Sequence, residues 1–361
     1  MRANRGPAEI AVGMIGAGAI ARQRHLPNLL AIPGVRVLGV VNRTDESSRR
    51  VAAEFGIPRV YRHWREAVED PDTQAVVIGA WPDLHAPAAI AALERGKHVL
   101  CEARMAATAA EARAMWAAAR SRPDVVAQLV PAPFTLEVDA TVRRWMDEGR
   151  LGRLLLIEHC DAGGPFRPEE PAIWRHDRRR NGFNFRTLGI VYEQIHRWVG
   201  EAVRVTAHGA VFARRRRLAE GGWIEVSAPD HVDVAADMAC GALLHLQMSA
   251  VATPKHPEAR GIWLYGTEGV LRVDGEVLQA GDGRGRMTPV RISARERRGW
   301  RVEADFIDAI RGRAPVRLTT FEDGVRYMDF TEAVWRSMAQ GRAVALPLEL
   351  DVGGAPTAPG L

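Results

Sequence analysis

Two patterns of apolar and polar residues divide the chain. In the first, short, mainly apolar runs such as Ile10–Ile15, Val35–Val41 and His98–Cys101 alternate with longer segments in which apolar residues recur at helical spacing. Unbroken apolar runs are expected of parallel strands covered on both faces, and helical spacing of amphipathic helices. The pattern predicts strands at 10–15, 35–41, 59–61, 74–80, 98–101 and 125–130, with helices at 19–31, 45–55, 64–69, 83–95 and 108–120. Thr108 followed by Glu111 is a capping box at the start of the last helix. Regular alternation of strand and helix implies an α/β fold with a doubly wound parallel sheet.

Pro131-Ala132-Pro133 interrupts this series and marks a domain boundary. Beyond it a helix is expected over 134–148 and a strand over 154–160. A Pro-, Gly- and Arg-rich loop follows over 165–184, then a helix over 188–199. Strands follow at 203–212, 231–239, 242–251, 261–265 and 269–273. Val232, Val234, Ala236 and Met238 share one face at a spacing of two, and Cys240-Gly241 reads as a hairpin turn. That describes a large, mostly antiparallel sheet with one covered face. Helices return at 300–311 and 321–340, and the Gly/Pro-rich segment 351–361 is expected to be a disordered tail. A chain of 361 residues fits two domains, here 1–130 and an α+β domain over 131–350.

Composition narrows the classes. An apolar fraction of 47% with 26% charged residues is that of an ordinary globular protein. No apolar run reaches the ~18 residues of a membrane span, and the first strand starts too early to follow a signal peptide, so a cytoplasmic protein without membrane contact is expected. Cys101, Cys160 and Cys240 lack metal-ligand spacing; they read as buried thiols, and no metal site is expected. A net charge of +5 raises nucleic acid as a partner. However, the arginine clusters at 178–180 and 214–217 carry no interleaved aromatics for base stacking, and they read instead as solvated loops or strand ends.

The strongest chemical signal follows the first strand. In GAGAIA, Gly16, Gly18 and Ala21 stand in G-x-G-x-x-G/A spacing, with a strand before and a helix after. The first glycine permits a tight turn, the second admits a pyrophosphate against the backbone, and the small third residue lets helix and strand pack closely. The helix beginning at Ala19 and Ile20 aims its free N–H groups and dipole at the phosphates. The second strand ends at Asn42-Arg43-Thr44, where an NAD site usually places a carboxylate for the ribose. Arg43 suits a 2′-phosphate and adenine stacking, which leans toward NADP, while Asp45 and Glu46 leave NAD open.

Several motifs beyond the glycine turn resemble the glucose-fructose oxidoreductase, inositol dehydrogenase and MocA family of NAD(P)-dependent oxidoreductases. AWPDLHAPAAIAALERGKHVLCEARMA is similar to the family stretch that leads into G-K-H-V-x-x-E-K-P. WRHDRRRNGFNFRTLGIVYEQIHRW resembles W-R…G-G-G…D-x-G-x-H-x-x-D, and FEDGVRYMDFTEAVWRSMAQGRAVALP resembles the C-terminal helix. The resemblance implies a Rossmann domain followed by a sheet domain, with Trp81, Pro82, His85 and Glu102 beside the cofactor and the site at the seam. It also implies a small sugar-like, cyclitol or other hydroxyl or carbonyl substrate. Lys97 aligns with a structural lysine.

Departures from the family pattern fall on its proton-transfer residues. The Lys of E-K-P is Ala103 and the Pro is Arg104. The motif Asp, His and later Asp align with Thr187, Val191 and Gln194. Hydride removal from an alcohol needs a base for the hydroxyl proton, worth roughly 10²–10⁴-fold in rate. Tyr192, next to the vacated His position, is the candidate replacement, with Arg104, Arg175 or Arg186 as cations to lower its pKa. Arg175 is alternatively a bidentate clamp for a substrate carboxylate or phosphate. Glu193, His196 and Lys255 are weaker candidates. The expectation is thus an oxidoreductase using Tyr192 and Arg175. The alternative is a non-redox protein on the same scaffold, a cofactor-binding regulator or a lyase or isomerase. An open sheet face further predicts a homo-oligomer, a dimer or tetramer.

Overall fold

The computed structural model of the chain describes residues 9–219, 221–253, 260–282 and 284–349. The expected disordered tail at 351–361 and Lys255 both lie outside the described residues. Two compact units form, one running through Pro131 and including Arg301–Val325, the other made of Ala132–Trp300 and the chain from Arg326.

The first unit is built on a six-stranded sheet. Its strands are β1 (Ile10–Ile15), β2 (Val35–Val41), β3 (Arg59–Val60), β4 (Ala75–Ile78), β5 (His98–Cys101) and β6 (Ala127–Leu129). All pair in parallel in the order β3-β2-β1-β4-β5-β6. The order reverses between β1 and β4, so the carboxyl ends of these strands open a crevice at the switch point of a doubly wound sheet. Every residue of β1 and β4 is buried, which is what their unbroken apolar runs require. The expected helix over 19–31 is present, but its middle, Ala21–His25, is a π-helical turn before α-helix resumes at Leu26–Ala31. Pro27 in the next turn has no N–H to donate, which removes one ladder bond where the helix widens.

The segment Arg301–Val325 joins this first unit, so the second unit is not the continuous span 131–350 that the sequence suggested. Side-chain bonding explains the difference. Glu303, in the helix Val302–Ile310, accepts hydrogen bonds from His25 and Asn28, and the Leu129 N–H donates to the Thr319 carbonyl at 3.0 Å.

The second unit carries a nine-stranded sheet and a two-stranded one. The strands are β7 (Leu154–Ala162), β8 (Ala202–Ala210), β9 (Arg215–Arg217), β10 (Trp223–Glu225), β11 (His231–Met238) and β12 (Leu243–Ser249). They continue with β13 (Ile262–Gly266), β14 (Val270–Asp274), β15 (Val277–Gly281), β16 (Met287–Pro289) and β17 (Val344–Ala345). The large sheet runs β16-β15-β14-β13-β7-β12-β11-β8-β17 and is antiparallel except where β7 pairs with β12. Cys240-Gly241 forms the hairpin turn between β11 and β12, with Gly241 in the left-handed region at φ 86°. The covered face holds Ile157, Val232, Val234, Leu246 and Leu264, all fully buried. The helices Leu188–Val199 and Phe321–Gln340 pack on it: the Ser337 hydroxyl accepts the Ala207 N–H at 2.9 Å, and the Tyr192 hydroxyl accepts that of Ala202 at 2.8 Å.

Two further expectations are corrected here. Arg216, expected in a solvated cluster, is buried, because its guanidinium donates to the carbonyls of Arg167 and Glu170. Of the cysteines only Cys101 is buried; Cys160 is half-buried and Cys240 is exposed on its turn.

Candidate functional site

The first unit supplies a phosphate cradle. Gly16 lies at φ +85°, and a Cβ added there would sit 2.6 Å from the Ala80 backbone nitrogen, so the turn after β1 closes against the end of β4 only with glycine. Gly18 is different: a Cβ there would meet nothing within 4 Å. Gly18, Ala19 and Ile20 are exposed at the start of the helix, where free N–H groups and the positive end of the dipole face solvent. This open, side-chain-free approach fits a pyrophosphate. Asn42 has a different task from ribose contact, since its Oδ1 accepts the Ala17 N–H at 2.6 Å while its amide donates to Ser47, locking the glycine turn to the end of β2.

Arg43 is exposed and lays its guanidinium over the Trp81 ring, 5.1 Å from the centroid. Asp45 pairs with Arg49 one turn along its own helix, and Thr44 caps that helix by accepting the Ser47 N–H. Pro82 opens the helix Pro82–Glu94 at its first position, where a missing N–H costs nothing. His85 is fully buried with Nδ1 2.9 Å from the Arg104 carbonyl and Nε2 3.0 Å from that of Ala80, and so ties the loop after β5 to the loop after β4. Burial pushes its pKa down, against the pull of those carbonyls. Lys97 is structural, its ammonium donating to the Asp70 and Thr73 carbonyls and to the Thr73 hydroxyl.

Glu102 belongs to a buried ion cluster. His25, wholly inaccessible at the end of the π-helical turn, places Nε2 2.8 Å from Glu102 and Nδ1 2.5 Å from Glu303. Burial alone would lower the imidazole pKa, but the hydrogen bonds to Glu102 and Glu303 and their charges lift it to about 9. An imidazolium between two carboxylates therefore links the nucleotide helix, the end of β5 and the helix Val302–Ile310.

In the second unit the structure separates the sequence candidates. Tyr192 lies in the core, which disfavours it as a proton donor. Its ring is buried and stacks on Phe330 with centroids 3.7 Å apart, its hydroxyl is held by the Ala202 N–H, and burial pushes its pKa up. Glu193 accepts the Ala132 N–H at 2.8 Å, and His196 faces Glu201 at 3.7 Å, both packing positions of the same helix. Arg175 does not accompany Tyr192; it stacks on Trp174 in the loop after β7 and lines a separate cavity.

A cavity of about 520 Å³ lies at the end of β7. Thr187, Val191 and Gln194, the positions matching the family's Asp, His and Asp, all line it. Opposite them stand His159 and Asp161. On the covered face of β7, strand alternation places Ile157, His159 and Asp161 in sequence, so two polar residues occupy positions where the pattern calls for apolar ones. That break in the period is the sequence signal for these residues.

Asp161 accepts from the Arg186 guanidinium at 3.0 Å and the Thr187 hydroxyl at 2.5 Å. Burial would raise its pKa, but these bonds hold it below the usual carboxylate range. His159 Nδ1 lies 2.9 Å from the Gly261 carbonyl. Since a carbonyl only accepts, Nδ1 carries the proton and Nε2 of the neutral ring keeps its lone pair. Burial lowers the His159 pKa, against the Gly261 carbonyl and the charges of Asp161 and Asp274. Three buried polar atoms at this cavity, His159 Nε2, Gln194 Nε2 and Thr135 Oγ1, have no hydrogen-bond partner among the described residues. Native proteins rarely leave such atoms unmatched without a ligand or water to meet them. The set offers both an acceptor and donors, which is what a hydroxyl group requires.

Comparison with known proteins agrees with this architecture. The model of the oxidoreductase family with an NAD-binding Rossmann fold matches residues 10–129, and that of the GFO/IDH/MocA C-terminal domain matches residues 140–272. The chain belongs to the Gfo/Idh/MocA oxidoreductase family. It is 28% identical to levoglucosan dehydrogenase of Pseudarthrobacter phenanthrenivorans, over 58% of the chain and 56% of that protein, so the match spans little more than half the length of this relative. It is 28% identical to dTDP-3,4-didehydro-2,6-dideoxy-alpha-D-glucose 3-reductase of Streptomyces antibioticus, over 89% of the chain and 95% of that enzyme. Among solved structures, levoglucosan dehydrogenase in complex with NADH and L-sorbose shares the fold, with a TM-score of 0.81 at 23% identity, covering 94% of this chain and 99% of that one. Among the described residues no helix is long and apolar enough to cross a membrane.

Proposed function

We propose that this Gfo/Idh/MocA protein is an NAD(P)-dependent oxidoreductase of a sugar-like hydroxyl or carbonyl compound, with His159 in place of the family's usual proton-transfer residues. The observation that carries the proposal is the cavity in which the three substituted family positions face His159 and its unmatched Nε2. Gly16, Gly18, Ala19 and Ile20 would hold a nicotinamide cofactor, which would supply hydride-transfer chemistry when bound. On oxidation the hydroxyl O–H bond breaks and its proton passes to His159 Nε2, while Gly261 holds the ring in the required tautomer. Asp161, fixed by Arg186 and Thr187, stays ionised beside the imidazole and favours the imidazolium that forms. Gln194 and Thr135 supply hydrogen bonds to further hydroxyls. Sugar and cyclitol chemistry named among the relatives, levoglucosan and inositol dehydrogenases and a deoxysugar reductase, supports this substrate class.

In the same proposal Gly16 and Gly18 admit the pyrophosphate and Ala19 and Ile20 bind it through backbone N–H groups. Asn42 shapes the turn, while Arg43 with Trp81 holds the adenosine end. Pro82, His85 and Glu102 shape the nicotinamide side. Exposed Arg43, without a competing carboxylate at the end of β2, favours NADP. The outer face of the large sheet carries Leu243, 57% exposed, with stacked Trp263 and Tyr265. A second copy covering this face makes the protein a homo-oligomer, which light scattering tests. The function itself is tested by screening polyols and aldoses for NADPH or NADH formation with wild type and His159→Ala. Turnover lost in the variant is expected; equal turnover in both removes His159 from the reaction.

A further inference from the structure

The loop between β7 and the helix Leu188–Val199 encloses a second cavity, of about 350 Å³, within the size range of small-ligand sites. Arg167, Arg175, Arg186 and Arg216 line it against only Glu170 and Asp230. Most of this charge is matched within the protein. Arg167 pairs with Glu170 at 3.1 Å, and Arg216 reaches Asp230 at 3.8 Å while donating to two carbonyls. Arg186 pairs with Asp161 across the wall shared with the first cavity. Arg175 differs: it is exposed at the cavity, its guanidinium stacks on Trp174 with Cζ 4.3 Å from the ring centroid, and no carboxylate pairs with it among the described residues. Stacking fixes the plane of a guanidinium and leaves its N–H edge free for a bidentate anion.

The wall between the two cavities is specifically built. Arg186 is the sole non-glycine among the described residues with positive φ, 42°. Its guanidinium passes close over Gly163, where a Cβ would lie 2.6 Å from Nη1, so the glycine leaves room for its path to Asp161. One ion pair thus borders the polar cavity through Asp161 and Thr187 and the cationic one through Arg186.

We propose that the cationic cavity binds the anionic group of the substrate, a carboxylate or phosphate, through Arg175, so that the sugar-like substrate is a sugar acid or sugar phosphate and not a neutral sugar. This rests on the sugar oxidoreductase assignment for its substrate class, but anion binding is measurable without any redox step. Isothermal titration calorimetry in the absence of nucleotide, with D-glucuronate, D-glucose 6-phosphate and D-glucose, is the test. At least one anion binds, at least tenfold tighter than glucose, and the preferred one tells carboxylate from phosphate. Arg175→Gln weakens that binding at least tenfold, Arg175→Lys weakens it less, and both variants stay folded because among the described residues the side chain makes no ion pair and its aromatic contact is at the surface. Glucose binding as tightly as the anions, no binding of either anion, or unchanged affinity in Arg175→Gln overturns the proposal. Because nucleotide is absent, a negative result here leaves the oxidoreductase assignment standing, and a failed nicotinamide titration leaves the anion site standing.

Discussion

The glycine cradle of the first unit and the polar cavity of the second are built by opposite means. The cradle is made of backbone: Gly16 and Gly18 act through the absence of a side chain, and Ala19 and Ile20 through the N–H groups at the start of the helix. The cavity is made of side chains from distant segments, Thr135, His159, Asp161, Thr187 and Gln194, brought together by a sheet and a helix. A backbone site tolerates little change at its few positions and so keeps a local signature. A side-chain site can move its acid–base group to another element that borders the same space. In the proposed function, His159 on the neighbouring strand takes the place of an imidazole on the helix.

The largest effect that would break this contrast is on the cradle. Gly18→Val should fold, since a Cβ at that position meets nothing within 4 Å, yet it crowds the phosphate approach. Loss of NADH and NADPH binding by at least 100-fold is expected in a fluorescence titration, on the scale of several kcal/mol; retained affinity in a folded variant refutes the cradle.

Next in size is the cavity. His159→Ala should lower kcat by about 10²–10⁴-fold, the usual worth of positioned acid–base help, with nucleotide affinity unchanged. The base must be neutral, and burial holds the His159 pKa below its ordinary value. Oxidation in the wild type should therefore fall off at lower pH than an exposed histidine would dictate; a decline at higher pH than that would point to another group.

The His25 cluster gives a stability test confined to the first unit. The folded pKa is raised from 6.5 to about 9. Its contribution is thus complete below pH 6.5 and is lost as pH rises through 9, amounting to about 3 kcal/mol by linkage. The wild-type melting temperature should fall across this window, and His25→Gln should flatten the fall; a melting curve flat from pH 6 to 9 contradicts the imidazolium.

Smaller again is Tyr192→Phe. It strands the buried Ala202 N–H and should cost about 1–3 kcal/mol of stability while leaving kcat unchanged, so a large loss of turnover without loss of stability would return Tyr192 to the chemistry. The smallest effect is expected at Arg43→Ala, with NADPH affinity reduced about tenfold, or ~1.4 kcal/mol, and NADH affinity little altered.

Much of the fold could be read without coordinates because its signals are local. The apolar runs of β1, β2 and β5 and the helices Leu188–Val199 and Phe321–Gln340 lie where periodicity places them. What escaped was short or depended on partners. β9 and β10 are only three residues each and exist through pairing with one another, and β15 to β17 are added at the edges of the large sheet. Arg216 is buried in spite of its charge because two distant carbonyls accept from it.

The sequence by itself determined the parallel sheet, the glycine turn and the family, since each is encoded in runs of neighbouring residues whose backbone preferences and spacing act locally. It also placed Ala103, Thr187 and Val191 where the resembled motifs carry Lys, Asp and His. Only the tertiary structure decided which side chains border the same cavity as Thr187 and Val191. Tyr192, adjacent to the vacated position in sequence, points into the core because helical geometry turns successive residues by about 100°. His159, separated from Val191 by 32 residues, lines the same cavity because strand β7 passes beneath that helix. Which side chains share a cavity is a property of packing between elements, and no local pattern carries it.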